Sequence, residues 1–215
     1  MIVVGIDTYT IALVLLGALL AGVTTGMAGF GTALVASGLW YHVLPAVMVP
    51  PLVALTGVVG QLIGLFSIKK SYSWNEAKPY LIGGLLGVPL GVLTFTIASP
   101  ANLRIVVGAF LMIYASFQLL GVSKMRLNID AGKNANGAIG VGGGFLGGFA
   151  GLSGPLPIIW LQLQGKTSLS QRAIYQPFNL VVLSLALVGM AFKGFVTKHV
   201  LILFVICVPI TVIGT

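Results

Sequence analysis

Long apolar runs separated by short polar stretches cover almost the whole chain. From the N-terminus they are Tyr9 to Tyr41, Leu44 to Ile68, Pro79 to Ala98, Leu103 to Val122, Gly137 to Gln164, Ala173 to Phe192 and His199 to Thr215. About 20 apolar helical residues cross a hydrocarbon core of about 30 Å. The runs therefore predict an all-α polytopic membrane protein with seven or eight transmembrane segments. Polar residues gather between the runs, in Lys69 to Lys78 and above all in Ser123 to Asn136. That longest polar stretch reads as a linker (123–136) between a first half, 1–122, and a second, 137–215.

Two runs are interrupted by glycine. Gly26-Met27-Ala28-Gly29-Phe30-Gly31 breaks the first, and the segment from Gly148 to Pro157, which includes Gly151, Ser153, Gly154 and Pro155, breaks the fifth. A helix broken inside a bilayer leaves N–H and C=O groups that lipid cannot satisfy, so such a break must be buried in protein or line a polar cavity. Matching breaks in two halves point to a transporter's binding site. New helices are expected to start near Thr32 and near Pro155, because proline is tolerated in a first turn. Helix starts present free N–H groups and a partial positive charge that suit an anion. A purely structural break is the alternative.

The halves read as homologous repeats, each with a broken or re-entrant first helix. Gly22, Gly26, Ala28 and Gly29 fall on Gly144, Gly148, Ala150 and Gly151 at an offset of 122. Ala46 and Pro50 match Ala173 and Pro177 at 127, and Val88-Pro89 matches Val208-Pro209 at 120. Four apolar segments in the first repeat face three in the second, so one further span of about 20 residues is expected beyond Thr215. If the broken runs cross fully, the repeats are parallel, and Lys69, Lys70, Lys78, Lys124, Arg126, Lys133, Lys193 and Lys198 share one side, eight against three. If they fold back, the repeats are inverted, Lys166 and Arg172 replace Lys193 and Lys198, and the score is unchanged. The positive-inside rule does not choose between them. The second topology is favoured because Pro155 to Gln164 makes only about 15 Å of helix.

Composition agrees with a membrane chain: 58% of residues are hydrophobic, 7% are charged and the mean hydropathy is +1.10. Eleven basic residues against three acids lie mostly between runs, as in cytoplasmic loops, so no nucleic-acid partner is expected. The N-terminus lacks the basic start and cleavage site of a signal peptide. Cys207 is the single cysteine, which excludes an intrachain disulfide and dithiol chemistry. Asp7, Glu76 and Asp130 all lie outside the runs, which argues against carboxylate-mediated proton or sodium coupling. No HExxH, cysteine pair or Ser-His-acid set is present, so no catalytic residue, metal or cofactor is expected.

The uncharged polar residues carry the remaining chemistry. Gly83, Gly87 and Gly91, with Gly140, Gly144 and Gly148 and with Gly143, Gly147 and Gly151, recur every four residues and read as close helix packing. Thr24, Thr25 and Thr32 flank the first break, Ser153 sits in the second, and Gln61 lies in the second run. Any one hydroxyl can instead bond its own helix backbone. Gln176 and Asn179, one turn apart beside Pro177, are expected to face the interior, since an amide in lipid is costly. Arg104, His42 and His199 read as interfacial anchors. Arg172 is either another anchor or a charge that draws anions toward Gln176.

The run from Gly142 to Pro155 resembles the second-repeat signature of the sulfite exporter TauE/SafE family, and Gly22 to Gly31 is similar to its first-repeat counterpart. The resemblance covers essentially the whole chain. It implies seven or eight spans and a secondary transporter of a sulfur-containing anion such as sulfite or an organosulfonate, in the inner or plasma membrane. Ser153 departs from the glycine or small apolar residue of many members, at a place where substrate would be tuned. The expected site combines Thr24, Thr25, Gly29, Phe30, Gly31, Thr32, Gly151, Ser153, Gly154, Gln176 and Asn179, with Arg172 attracting the anion. The expected partners are that anion, the bilayer and a second copy in a homodimer that glycine-faced spans permit. A passive anion channel and a non-transporting scaffold are the alternatives.

Overall fold

The computed structural model describes residues 7–67 (backbone alone at 65–67), 73–121 and 132–215. Among them all regular structure is helical: α1 (Thr8–Ala28), α2 (Thr32–Val43), a 3-10 turn (Ala46–Met48) leading into α3 (Val49–Ser67), α4 (Trp74–Ile97), α5 (Pro100–Leu119), α6 (Gly132–Ala150), α7 (Pro155–Leu163), α8 (Ser168–Phe192) and α9 (Lys198–Gly214). Five stretches of the described residues are long and apolar enough to cross a bilayer: Thr8–Ala28, Ala46–Gly64, Trp74–Ile97, Pro100–Leu119 and Ser168–Phe192. The chain is a membrane protein by this measure.

Several starts are set by a capping side chain. Asp7 accepts from the Thr10 N–H, Ser99 from Asn102, Thr167 from Ser170 and Thr197 from Val200, each filling an N–H that the helix leaves open. Three helices begin five residues earlier than their apolar runs. α4 starts at Trp74 rather than Pro79, because Pro79 in its second turn removes only one bond near an exposed end. α8 starts at Ser168 rather than Ala173, fixed by the Thr167 cap. Gly132 to Asn136, expected in the linker, form the first turn of α6, while 123–131, with Lys124, Arg126 and Asp130, and also Lys69 and Lys70, lie outside the described residues. Hydropathy misses these turns because the helices continue past their apolar parts.

The tightest packing joins α4 to α6 with no side chain between them. A Cβ at Gly83, Gly87 or Gly91 would lie 2.0, 2.1 or 2.1 Å from the carbonyl oxygens of Gly137, Val141 and Phe145. In return, a Cβ at Gly140, Gly144 or Gly148 would lie 2.3, 2.4 or 2.4 Å from those of Tyr80, Gly84 and Val88. Both series climb together, so the two helices run parallel in backbone contact. α1 and α9 are joined likewise: a Cβ at Gly22 would meet the Thr211 carbonyl at 2.2 Å, and one at Gly26 that of Thr215 at 2.5 Å.

Two pairs of consecutive helices form antiparallel hairpins. Trp40 of α2 donates its indole N–H to the Val14 carbonyl of α1 (3.1 Å), in space left by Gly17. In the other hairpin, Asn136 Oδ1 near the start of α6 accepts from Trp160 Nε1 (2.8 Å) and Gln164 Nε2 (3.0 Å) of α7, and also from the Tyr80 hydroxyl of α4 (2.9 Å). α8 threads between the hairpins. It runs antiparallel to α3, with Gly57 beside Leu183 and Gly64 beside Gln176, and parallel to α4, with Gly84 beside Phe178 and Gly189 beside Val92. Pro177 cannot donate to the Ala173 carbonyl, and the Ser73 N–H takes that place (3.3 Å), joining α8 to the start of α4.

Gly87→Ala would push a methyl into the α6 backbone and is expected to cost about 3 kcal/mol or more. Gly108→Ala on α5, with nothing within 4 Å, is expected to be neutral or to stabilise by up to about 1 kcal/mol. Thermal midpoints of the two detergent-purified variants compare them directly.

Candidate functional site

α1 stops at Ala28 because Gly29 turns into the left-handed region (φ 78°), and its N–H returns to the Thr25 carbonyl. Gly31 is left-handed as well (φ 116°), and α2 starts immediately after it at Thr32. Both residues pay a steric penalty if they carry a side chain. Hydroxyls tie the turn shut. Thr25 spends its hydrogen on the Ala21 carbonyl (2.8 Å), so in the 2.5 Å contact between the two hydroxyls Thr32 is the donor. Both are buried.

The α6–α7 turn is built differently. Gly151 takes the left-handed conformation (φ 74°), where a Cβ would strike Val53, and α7 begins at Pro155. Ser153 donates its hydroxyl to Asn179 Oδ1 of α8 (3.0 Å), with both side chains buried. Gly154 leaves room for the Asn179 amide nitrogen, 3.0 Å from where its Cβ would be.

One small cavity of about 20 Å³ touches both turns. Phe30, Gly31 and Thr32 line it from the first hairpin, Gly151, Ser153, Gly154 and Pro155 from the second. Asn179 and Leu183 of α8 and Gly57 and Gln61 of α3 complete it, with Ala33 and Leu34 beside Thr32. The first N–H groups of a helix have no partner within it. Thr32, Ala33 and Leu34 therefore bring three such donors to the cavity at the positive end of α2. α7 brings none from its first turn, since its residue on the cavity wall is Pro155, which has no N–H. Gln61 is 4% exposed, and its Oε1 is buried without a hydrogen-bond partner. The described carboxylates lie elsewhere: Asp7 caps α1, and Glu76 pairs with Lys166 at 2.5 Å. Among the described residues no cluster of three His, Cys, Asp or Glu could hold a metal.

The expected site residues thus divide. Phe30, Gly31, Thr32, Gly151, Ser153, Gly154 and Asn179 line the cavity, and Thr25 supports it from behind. Thr24 bonds its own helix at the Leu20 and Ala21 carbonyls (3.0 Å each) and packs against Gly31. Gly29 faces α8 rather than the cavity. Gln176 is buried between Gly29 and Gly64, off the cavity wall, with an unpartnered Oε1. Arg172 is also placed elsewhere: its Nη2 donates to the Met27 carbonyl (2.6 Å), while the Tyr175 hydroxyl donates to that of Ala28 (2.7 Å). Both satisfy the C-terminal carbonyls that α1 leaves open, where a cation is also favoured by the helix dipole. Arg104 donates to the Leu44 carbonyl (3.4 Å). Among the polar side chains of the cavity, Gln61 is the one the sequence did not place in the expected site. Its signal was a lone amide in the middle of an apolar run, a position that demands protein surroundings.

A family model described as Sulfite exporter TauE/SafE matches residues 14–215, nearly the whole chain and both hairpins. No curated protein and no solved structure matches it.

Tyr175→Phe removes one donor from the end of α1 and is expected to cost about 1 kcal/mol. Thr24→Val removes a hydroxyl that serves only its own helix, and a change within about 0.5 kcal/mol is expected. Thermal unfolding in detergent, with no candidate anion added, reads both.

Proposed function

Because the chain belongs to the sulfite exporter TauE/SafE family of membrane transporters, we propose that it is a secondary transporter of a small sulfur-containing anion, sulfite or a related organosulfonate. It would carry this anion at the cavity between the two hairpin turns. The observation that carries the reading is that one cavity is walled by both turns at once. In it the N–H groups of Thr32 to Leu34 and the Asn179 amide nitrogen converge, the Ser153 hydroxyl fixing that amide through its Oδ1, and no described carboxylate is placed to repel an oxyanion. Such dipolar donors hold an anion without a buried counter-charge. A bisulfite-like substrate that brings its own proton needs no acid at membrane depth.

The cavity holds about one water, less than the four heavy atoms of sulfite. Loading would therefore require α2 and α7 to part, as alternating access demands. The packing supports a chain of two inverted repeats, with α1, α3 and α4 answering to α6, α8 and α9. Under that exchange the parallel glycine contact of α4 with α6 becomes that of α9 with α1. The sequence pairs Gly22 with Gly144, Pro50 with Pro177 and Val88 with Val208 fall on the same helices. The hairpins would then be re-entrant from opposite faces of the plasma membrane. With α3, α4, α5, α8 and α9 crossing, the end bearing Lys78, Lys133, Lys166 and Arg172 would face the cytoplasm.

The test is thermal stabilisation of the detergent-purified protein by sulfite, thiosulfate, sulfoacetate, acetate and chloride at matched ionic strength, followed by flux in liposomes. One sulfur oxyanion is expected to stabilise selectively. Asn179→Ala is expected to weaken that effect at least about tenfold, some 1.4 kcal/mol, and to slow flux in proportion. Unchanged flux in Asn179→Ala sinks this site, and currents without counter-substrate exchange would mean a channel.

A further inference from the structure

We propose that the groove between the first turns of α4 and α6 binds an anionic phospholipid, with Lys78 and Lys133 holding its phosphate and an acyl chain lying along Ile82, Leu86 and Val141. The groove has a volume of about 680 Å³, and its lining is sorted along its length. Asn75, Lys133 and Asn134 belong to the first turns of their helices and Lys78 opens the second turn of α4, and the apolar side chains follow one to three turns deeper. Gly83 and Gly137 form part of the wall, so backbone rather than side chains borders the trough. A charged end leading into an apolar trough matches a lipid's headgroup and tail.

Charge gives the second, independent argument. α4 and α6 run parallel in backbone contact, so their positive dipole ends lie side by side, and each carries a lysine near that end. A cation at a helix N-terminus is unfavourable, and here two lysines and two helix ends meet. Neither lysine has a described carboxylate to relieve it. Asp7 caps α1, beside Leu44 and His199 in a separate pocket, and Glu76 is taken by Lys166. Glu76 and Lys78 are two positions apart and point to different faces of α4. An anion fixed in the groove removes this repulsion, and one attached to hydrocarbon also covers Ile82 and Leu86, which are 62% and 65% exposed. Juxtamembrane basic clusters of this kind attract anionic lipid headgroups.

The test uses the full chain in a neutral detergent, titrated with phosphatidylglycerol, with phosphatidylcholine of the same acyl chains, and with inorganic phosphate. Binding is read by native mass spectrometry and by the thermal midpoint. Phosphatidylglycerol is expected to stay bound and to raise the midpoint more than phosphatidylcholine, with no shift from inorganic phosphate. Lys78→Gln with Lys133→Gln should weaken phosphatidylglycerol binding at least about tenfold, whereas Lys198→Gln, at the start of α9, should leave it unchanged. Equal retention of the two lipids by the wild-type protein overturns the proposal whether or not the variants fold. A shift with inorganic phosphate alone would mean an anion site without a lipid, and undiminished binding in the double variant would place the lipid elsewhere.

Discussion

The structure depends on helices touching through their backbones. Where α4 meets α6, carbonyl oxygens occupy the places that Cβ atoms would fill, and α1 meets α9 in the same manner. In a bilayer there is little hydrophobic gain from putting one helix against another, so association rests on dispersion contact and close polar approach. Removing side chains from the interface maximises both. It also anchors the outer helix of each hairpin to a neighbour, leaving the short inner helices, α2 and α7, to be positioned by a few hydrogen bonds.

α8 bonds the turns that lead into those short helices. Tyr175 and Arg172 close the carbonyl end of α1, and Asn179 one turn further on receives the Ser153 hydroxyl from the other hairpin. A single helix therefore reads the state of both turns. Its own irregularity, Pro177, falls between these contacts, and the carbonyl it releases is bound by Ser73. Helical order is given up at three places close together, and α8 participates in satisfying the groups exposed at each. The two turns remain chemically unequal: α2 offers three N–H groups to the cavity, while α7 meets it with Pro155, which has none.

Much of this was legible in the residues. Apolar runs of spanning length specify an all-helical membrane chain, and glycines spaced by four mark the faces that meet. Threonine and serine before helices fix several starts that hydropathy alone places late, as with Thr167 before α8. Trp74 to Lys78 was hidden because a helix that leaves the apolar layer turns polar without ending. The place of Arg172 was hidden for another reason. A basic residue near an anion site and one on a helix's last carbonyls have the same local sequence, and only the position of Met27 in space separates them. Gln61 was visible as an oddity, but its neighbours come from segments about 30 to 120 residues distant. Charge counting gave eight to three for either topology, since hairpins that cross and hairpins that return exchange one pair of basic residues for another.

The glycine contacts also bear on how this chain can change over evolutionary time. At most buried positions a side chain can be exchanged for one of similar volume while its neighbours adjust. Glycine has no such neighbour in chemical space, because every replacement adds at least a Cβ. At Gly83, Gly87, Gly91, Gly140, Gly144 and Gly148 that atom meets peptide backbone, which has no rotamer to yield. Single substitutions there have no neutral route. Drift is instead free along α5, whose residues are mostly exposed, so a chain under selection for folding would hold this seam fixed while its outer surface diversified.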